Sequence, residues 1–211
     1  MYLPAAFAET RIDVMHALIA THPLGALAMH GPEGLAADHI PFEISAPSAD
    51  APLGVLRAHV ARANPLWRRG GEQVLALFQG PQAYVSPAFY EQKQIDGKVV
   101  PTWNYALVHA HGTLRAIEDP VWLYALLQRL TQRHEEPRAE PWSIDDAPRA
   151  YIEALLKAVV GIEIVIERLE GKWKASQNRT AGDQRRVHSG LAGHPEGKAM
   201  ADLMRPPATL E

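Results

Sequence analysis

Two runs and the turn between them decide the fold class: Leu24-Gly25-Ala26-Leu27-Ala28-Met29-His30, then Gly31-Pro32-Glu33-Gly34, then Leu35-Ala36-Ala37-Asp38-His39-Ile40-Pro41-Phe42-Glu43-Ile44. Extended runs on either side of a Gly/Pro turn read as a β-hairpin. The same pattern recurs outward along the chain. A Ser/Ala/Pro loop at 45–52 leads to a third strand at 54–60. Further strands are expected at 73–78, at 83–86 after a Gly80-Pro81 turn, and at 105–118. Six extended segments joined by short turns predict a closed or nearly closed antiparallel barrel rather than a parallel sheet.

Helices flank this β region. Ile12, Met15, Leu18 and Ile19 recur at helical spacing behind Thr10, and Pro23 ends that helix. Asp119-Pro120 supplies a cap and a first-turn proline ahead of Trp122, Leu123, Leu126, Leu127 and Leu130. A second helix is expected at 148–158 after a loop. β-branched residues 160–169 then return as a seventh strand, continued by Lys172-Trp173-Lys174 past a Gly171 kink. A short helix should run from Thr180 to Leu191. The class is α+β, mainly β: an antiparallel barrel with peripheral helices over 1–193, and a C-terminal tail over 194–211 whose order depends on a partner surface.

Composition excludes several chemistries. The 211 residues (23.2 kDa) carry a formal net charge of −3, so no overall positive field advertises nucleic-acid binding. Cysteine is absent, which removes disulfides, thiolate nucleophiles and cysteine-ligated metals. Met1-Tyr2-Leu3-Pro4 lacks the charged start of a secretory signal, and no stretch approaches the roughly 20 apolar residues of a membrane span. A cytoplasmic protein without a membrane contact is expected. The glycine-rich nucleotide loops and the Gly-x-Ser-x-Gly elbow are missing.

The segment Leu56-Arg57-Ala58-His59-Val60-Ala61-Arg62-Ala63-Asn64-Pro65 is more informative. Alternation sends Leu56, Ala58 and Val60 to one face and Arg57 and His59 to the other. Arg62 and Asn64 follow in a loop suited to a phosphate; a surface strand with scattered charge is the plainer reading. Trp103-Asn104-Tyr105, behind Pro101, can stack on a flat heterocycle or plug a barrel mouth. His109 and His111 share a strand face, but no third ligand stands at matching spacing, so no metal is expected. Residues 172–179 are dense in long donors around Trp173. Glu167, Glu170 and Asp183 dilute them as a nucleic-acid patch.

Several motifs in register resemble one family. They are Tyr2-x-Pro4 with Phe7; Ala37-Asp38-His39-Ile40-Pro41-Phe42; His59 with Asn64-Pro65-x-Trp67; Phe78-Gln79-Gly80-Pro81-x-Ala83-Tyr84-Val85-Ser86-Pro87-x-x-Tyr90; Val100-Pro101-Thr102-Trp103-Asn104-Tyr105-x-x-Val108-His109-x-x-Gly112; and Lys174-x-Ser176-Gln177-Asn178-Arg179. Together with Met200–Met204 they resemble the PaiB-type proteins, described as FMN-binding negative transcriptional regulators. Ala175 and Asp38 depart from the usual pattern, and Asp38 adds a negative charge near the expected anion site.

The resemblance implies the FMN-binding split-barrel fold and a homodimer with FMN at its interface. It places His39, Arg57, His59, Arg62 and Asn64 about the ribityl phosphate. Trp103, Asn104, Tyr105, Lys174 and Gln177 would approach the ring or complete the pocket. The function implied is a flavin-binding, redox-linked regulator. The alternatives are a flavin-dependent oxidoreductase of the same class on an unknown small substrate, or a haem-binding split barrel. No residue stands out as a dedicated acid, base or nucleophile, so enzymatic activity is left open. A DNA contact would fall to Arg185, Arg186 and His188.

Overall fold

A computed structural model describes residues 1–31 and 34–204. The chain order is β1 (Ala8–Glu9), α1 (Ile12–Thr21), β2 (Leu24–Gly31), β3 (Gly34–Pro41), β4 (Glu43–Ser45), β5 (Val55–Ala61), β6 (Gln73–Val85), α2 (Gln92–Ile95), β7 (Thr102–Ile117), α3 (Pro120–Glu135), α4 (Arg149–Lys157), β8 (Val159–Lys174), α5 (Ala181–Ala192) and α6 (Pro195–Leu203). The turn expected over Gly31–Gly34 includes Pro32 and Glu33, which lie outside the described residues. No described helix is long and apolar enough to cross a membrane.

The chain divides into two compact units. One comprises Ile19–Phe78 and Ala110–Leu169. Its strands follow the order β3-β2-β6-β7-β8-β5-β4 and pair antiparallel wherever the register is defined. The path ends at β3 and β4 and does not close, where a closed or nearly closed barrel was expected. Leu27, Leu56, Ala58, Ala76, Leu114, Ile162 and Ile164 on these strands are fully buried. Phe42 meets Phe78 edge to face at 5.6 Å. The run expected as one strand from Leu35 to Ile44 breaks at Phe42, whose N–H bonds to the Pro23 carbonyl at 2.9 Å and whose ring is buried. Gly112 lets β7 approach β8: a Cβ there would stand 2.2 Å from the Val165 carbonyl oxygen. Asp119 caps α3 by accepting from Val121 N–H, as its sequence implied. α3 and α4 bury Leu123, Ile152 and Leu156 against Ile144.

The other unit comprises Met1–Leu18, Gln79–His109 and Glu170–Glu211. Here β1 pairs with β8 through Ala8↔Lys172 and Glu9↔Gly171. Gly80-Pro81 is no turn: β6 continues through it, and a Cβ at Gly80 would stand 2.7 Å from Leu18 Cδ1 and 3.3 Å from the Ala106 carbonyl oxygen. Gly171 likewise marks close contact inside a continuous β8: a Cβ there would stand 2.7 Å from Met15 Sδ and 2.9 Å from the Glu9 carbonyl oxygen. Residues from His194 to Met204, expected to lie in a tail, instead contain α6. Its Met200 and Ala201 are fully buried with Val85, Tyr90, Val187 and Leu191. Apolar burial against α5 supplies the order that was expected from a partner. Residues 205–211, including Pro206-Pro207, lie outside the described residues.

Candidate functional site

The sequence-derived candidates divide evenly. Trp103, Asn104, Tyr105, Lys174 and Gln177 belong to the unit that begins with Met1, and the other five to the unit that begins with Ile19.

In the first of these, Trp103, Asn104 and Tyr105 alternate along β7. Asn104 is only 1% exposed; its Nδ2 donates to Ser176 Oγ at 2.9 Å, so it locks the 175–179 loop instead of facing a ligand. Ser176 is buried and adopts φ 64°, a left-handed conformation unusual for a side-chain-bearing residue. Gln177 is spent locally too, accepting from Ala175 N–H at 2.7 Å and donating to the Trp173 carbonyl.

Two ammonium groups lie near the Tyr105 ring. Lys172 Nζ is 5.5 Å and Lys174 Nζ 5.9 Å from its ring centre. Lys172 also bonds to the Tyr2 carbonyl at 3.0 Å and lies 5.5 Å from the Tyr2 ring. Lys174 donates to Thr102 Oγ1 and to the Trp103 carbonyl. Arg179 stacks on the Tyr90 ring at 4.8 Å. Among the described residues every partner of the two lysines is a neutral oxygen or a ring face, and neither forms an ion pair there. Burial, with Lys172 and Arg179 adding like charge, pushes the Lys174 ammonium below the ordinary lysine value. A pair of uncompensated cations on one strand face is suited to an anion such as a phosphate monoester. Lys172 belongs to the donor-dense 172–179 run but was not among the expected flavin contacts, although two lysines two apart on a strand must share a face.

In the other unit the cations are already engaged. Arg57 Nε donates to Glu163 Oε2 at 2.9 Å and its Nη1 to Ser45 Oγ. Arg62 donates to Glu118 at 2.6 Å, to the Lys157 carbonyl at 2.8 Å and to the Val159 carbonyl at 3.3 Å, and lies 5.8 Å over Trp67. Asn64 caps the short 3₁₀ helix Pro65–Arg69: its Oδ1 accepts from Leu66 N–H at 2.9 Å and its Nδ2 donates to Asp38 at 3.2 Å. These residues build the loop through their own bonds. His39 is exposed on β3 opposite Ala26. His59, paired with Gly161 on β5, is different: its Nδ1 is buried and has no hydrogen-bond partner among the described residues, and burial lowers its basicity. The imidazole is thereby held toward its neutral form. His111 Nδ1 accepts from Arg168, 3.0 Å away, since a guanidinium only donates.

A family model described as "Putative FMN-binding domain" matches residues 1–168. The chain is 38% identical over 242 residues to an uncharacterised protein, AN0679, of Emericella nidulans, covering 97% of this chain and 96% of that one. It is 30% identical over 208 residues to the protease synthase and sporulation protein PAI 2 of Bacillus subtilis, with coverage of 97% and 96%. Among solved structures, an FAD- and haem-binding protein from Mycobacterium smegmatis superposes with TM-score 0.58 at 17% identity, over 79% of this chain and 73% of the other. The flavocytochrome Anf3 from Azotobacter vinelandii gives 0.56 at 12%, over 79% and 69%. At these identities the superpositions speak to the fold alone, which is the flavin-binding split barrel.

Proposed function

This chain belongs to the PaiB-like family of FMN-binding domains, and from that premise we propose that it is a homodimeric flavoprotein acting as a redox-linked regulator, with the FMN phosphate anchored by Lys172 and Lys174. One observation carries the placement. The phosphate carries negative charge, and a cation already paired to a carboxylate has less attraction left for it. Arg57 and Arg62 are paired to Glu163 and Glu118, whereas the two lysines have only neutral partners. Tyr105 beside them offers a ring face to the isoalloxazine, and the Trp103 carbonyl positions Lys174. When bound, FMN supplies one- and two-electron redox chemistry. The chain's part is to bind and orient it, and Asn104 with Ser176 hold the loop beside Lys174 in one conformation.

The test compares FMN with riboflavin, which lacks the phosphate, by fluorescence titration of the full-length protein. FMN should bind at least tenfold more tightly, and Lys172→Gln with Lys174→Gln should abolish that preference. Equal affinity for the two flavins would remove the phosphate anchor.

A further inference from the structure

A cleft of about 630 Å³ opens in the same unit, and its lining includes no lysine or arginine. Tyr84 and Trp103 stand on one side, 50% and 52% exposed, in edge-to-face contact at 5.9 Å and 72°. Phe89 and His194 contribute a second ring pair, 6.4 Å apart and inclined by 33°. Glu196, in the first turn of α6, is the cleft's carboxylate, and no ion pair among the described residues engages it. Lys174 Nζ touches the Trp103 carbonyl but lies outside the lining.

Ring faces carry negative quadrupole potential, and Trp is the strongest of them toward a cation. A carboxylate at the rim adds attraction of the same sign. The flat ring walls select a flat body, and holding two large aromatics half exposed leaves apolar area that such a body would cover. We propose that this cleft binds a planar heteroaromatic cation, a ligand opposite in charge to the phosphate suited to Lys172 and Lys174. The cleft shares Trp103 with the lysine site, whose Lys174 bonds to the Trp103 carbonyl, but its carboxylate, Glu196, is distinct from Lys172 and Lys174.

N-methylquinolinium, neutral isoquinoline at pH 8 and anionic 2-naphthoate are matched in shape and differ in charge. Calorimetric titration of the full-length protein should rank them cation, neutral, anion. Glu196→Gln should weaken the cation about threefold to tenfold and leave isoquinoline unchanged. Trp103→Ala and Tyr84→Ala should each weaken it at least tenfold, and Lys172→Gln with Lys174→Gln should not weaken it while abolishing the preference for FMN over riboflavin. Equal binding of all three probes, no binding of the cation at millimolar concentration, or indifference to both Glu196→Gln and Tyr84→Ala would overturn the assignment.

Discussion

Lys174 couples protonation to binding in a way that separates two signs. Its folded pKa lies below the ordinary 10.5, mainly through burial and then through Lys172 and Arg179. In the window between the two values the unfolded chain binds more protons, so stability of the flavin-free protein should rise with pH there. FMN affinity should move oppositely, falling as pH climbs through the depressed value, because a phosphate favours the charged ammonium. Urea midpoints and flavin titrations over the alkaline range measure the two slopes. Lys174→Arg, which stays protonated, should flatten both. His59 behaves in the same sense at lower pH: burial depresses its pKa from 6.5, so the stability it permits is complete above that value and lost as pH falls through the window below. His59→Gln should remove that acid-side slope in midpoint measurements. Asn64 is a different kind of residue. As the cap of Pro65–Arg69 its replacement by Ala should cost about 1 kcal/mol of stability, seen as a lowered urea midpoint.

At the scale of elements, glycines mark where strands must come close, and they were the positions hardest to read. Gly80 and Gly171 look like a turn and a kink in the sequence, because a glycine beside a proline or inside a strand pattern signals a break locally. In the structure each lies within a continuous strand, where Leu18 or Met15 occupies the space of a missing side chain. Such a cause comes from residues more than sixty or a hundred and fifty positions away, and local patterns do not carry it. Gly112 gives the sharpest test. Adding a methyl 2.2 Å from the Val165 carbonyl oxygen forces β7 from β8, so Gly112→Ala should destabilise by about 3 kcal/mol or more, read as a fall in Tm. The helices were legible where the caps were: Asp119-Pro120 and Thr180 start α3 and α5 as expected. α6 was not, because His194 offers no capping side-chain bond and only its burial of Met200 reveals the need for order. The site was legible to the same degree. Alternation found the Arg57/His59 face, but not the distant carboxylates that pair with Arg57 and with Arg62 in the loop after it, Glu163 on β8 and Glu118 just past β7.

For the whole molecule, two properties decide how a regulator of this kind would act. The proposed homodimer should elute with a mass of about 46 kDa by light scattering, twice the 23.2 kDa chain, and Lys172→Gln with Lys174→Gln should leave that mass unchanged. The net charge of −3 opposes extended contact with a polyanion. The best DNA-facing residues, Arg185, Arg186 and His188, are few, and Arg186 already lies 3.5 Å from Glu91. Neutralising about three phosphates gives a slope of log affinity against log salt near −3 per chain, or near −6 if both copies of a dimer engage. A non-specific contact of that kind should fade between about 50 and 200 mM salt. Gel-shift titrations over that range should show it fading equally for any duplex. Regulation would then run through the flavin state and a protein or small-molecule partner. A sequence-selective complex that survives 200 mM salt, weakened by Arg185→Ala, would instead assign the regulatory step to direct DNA binding.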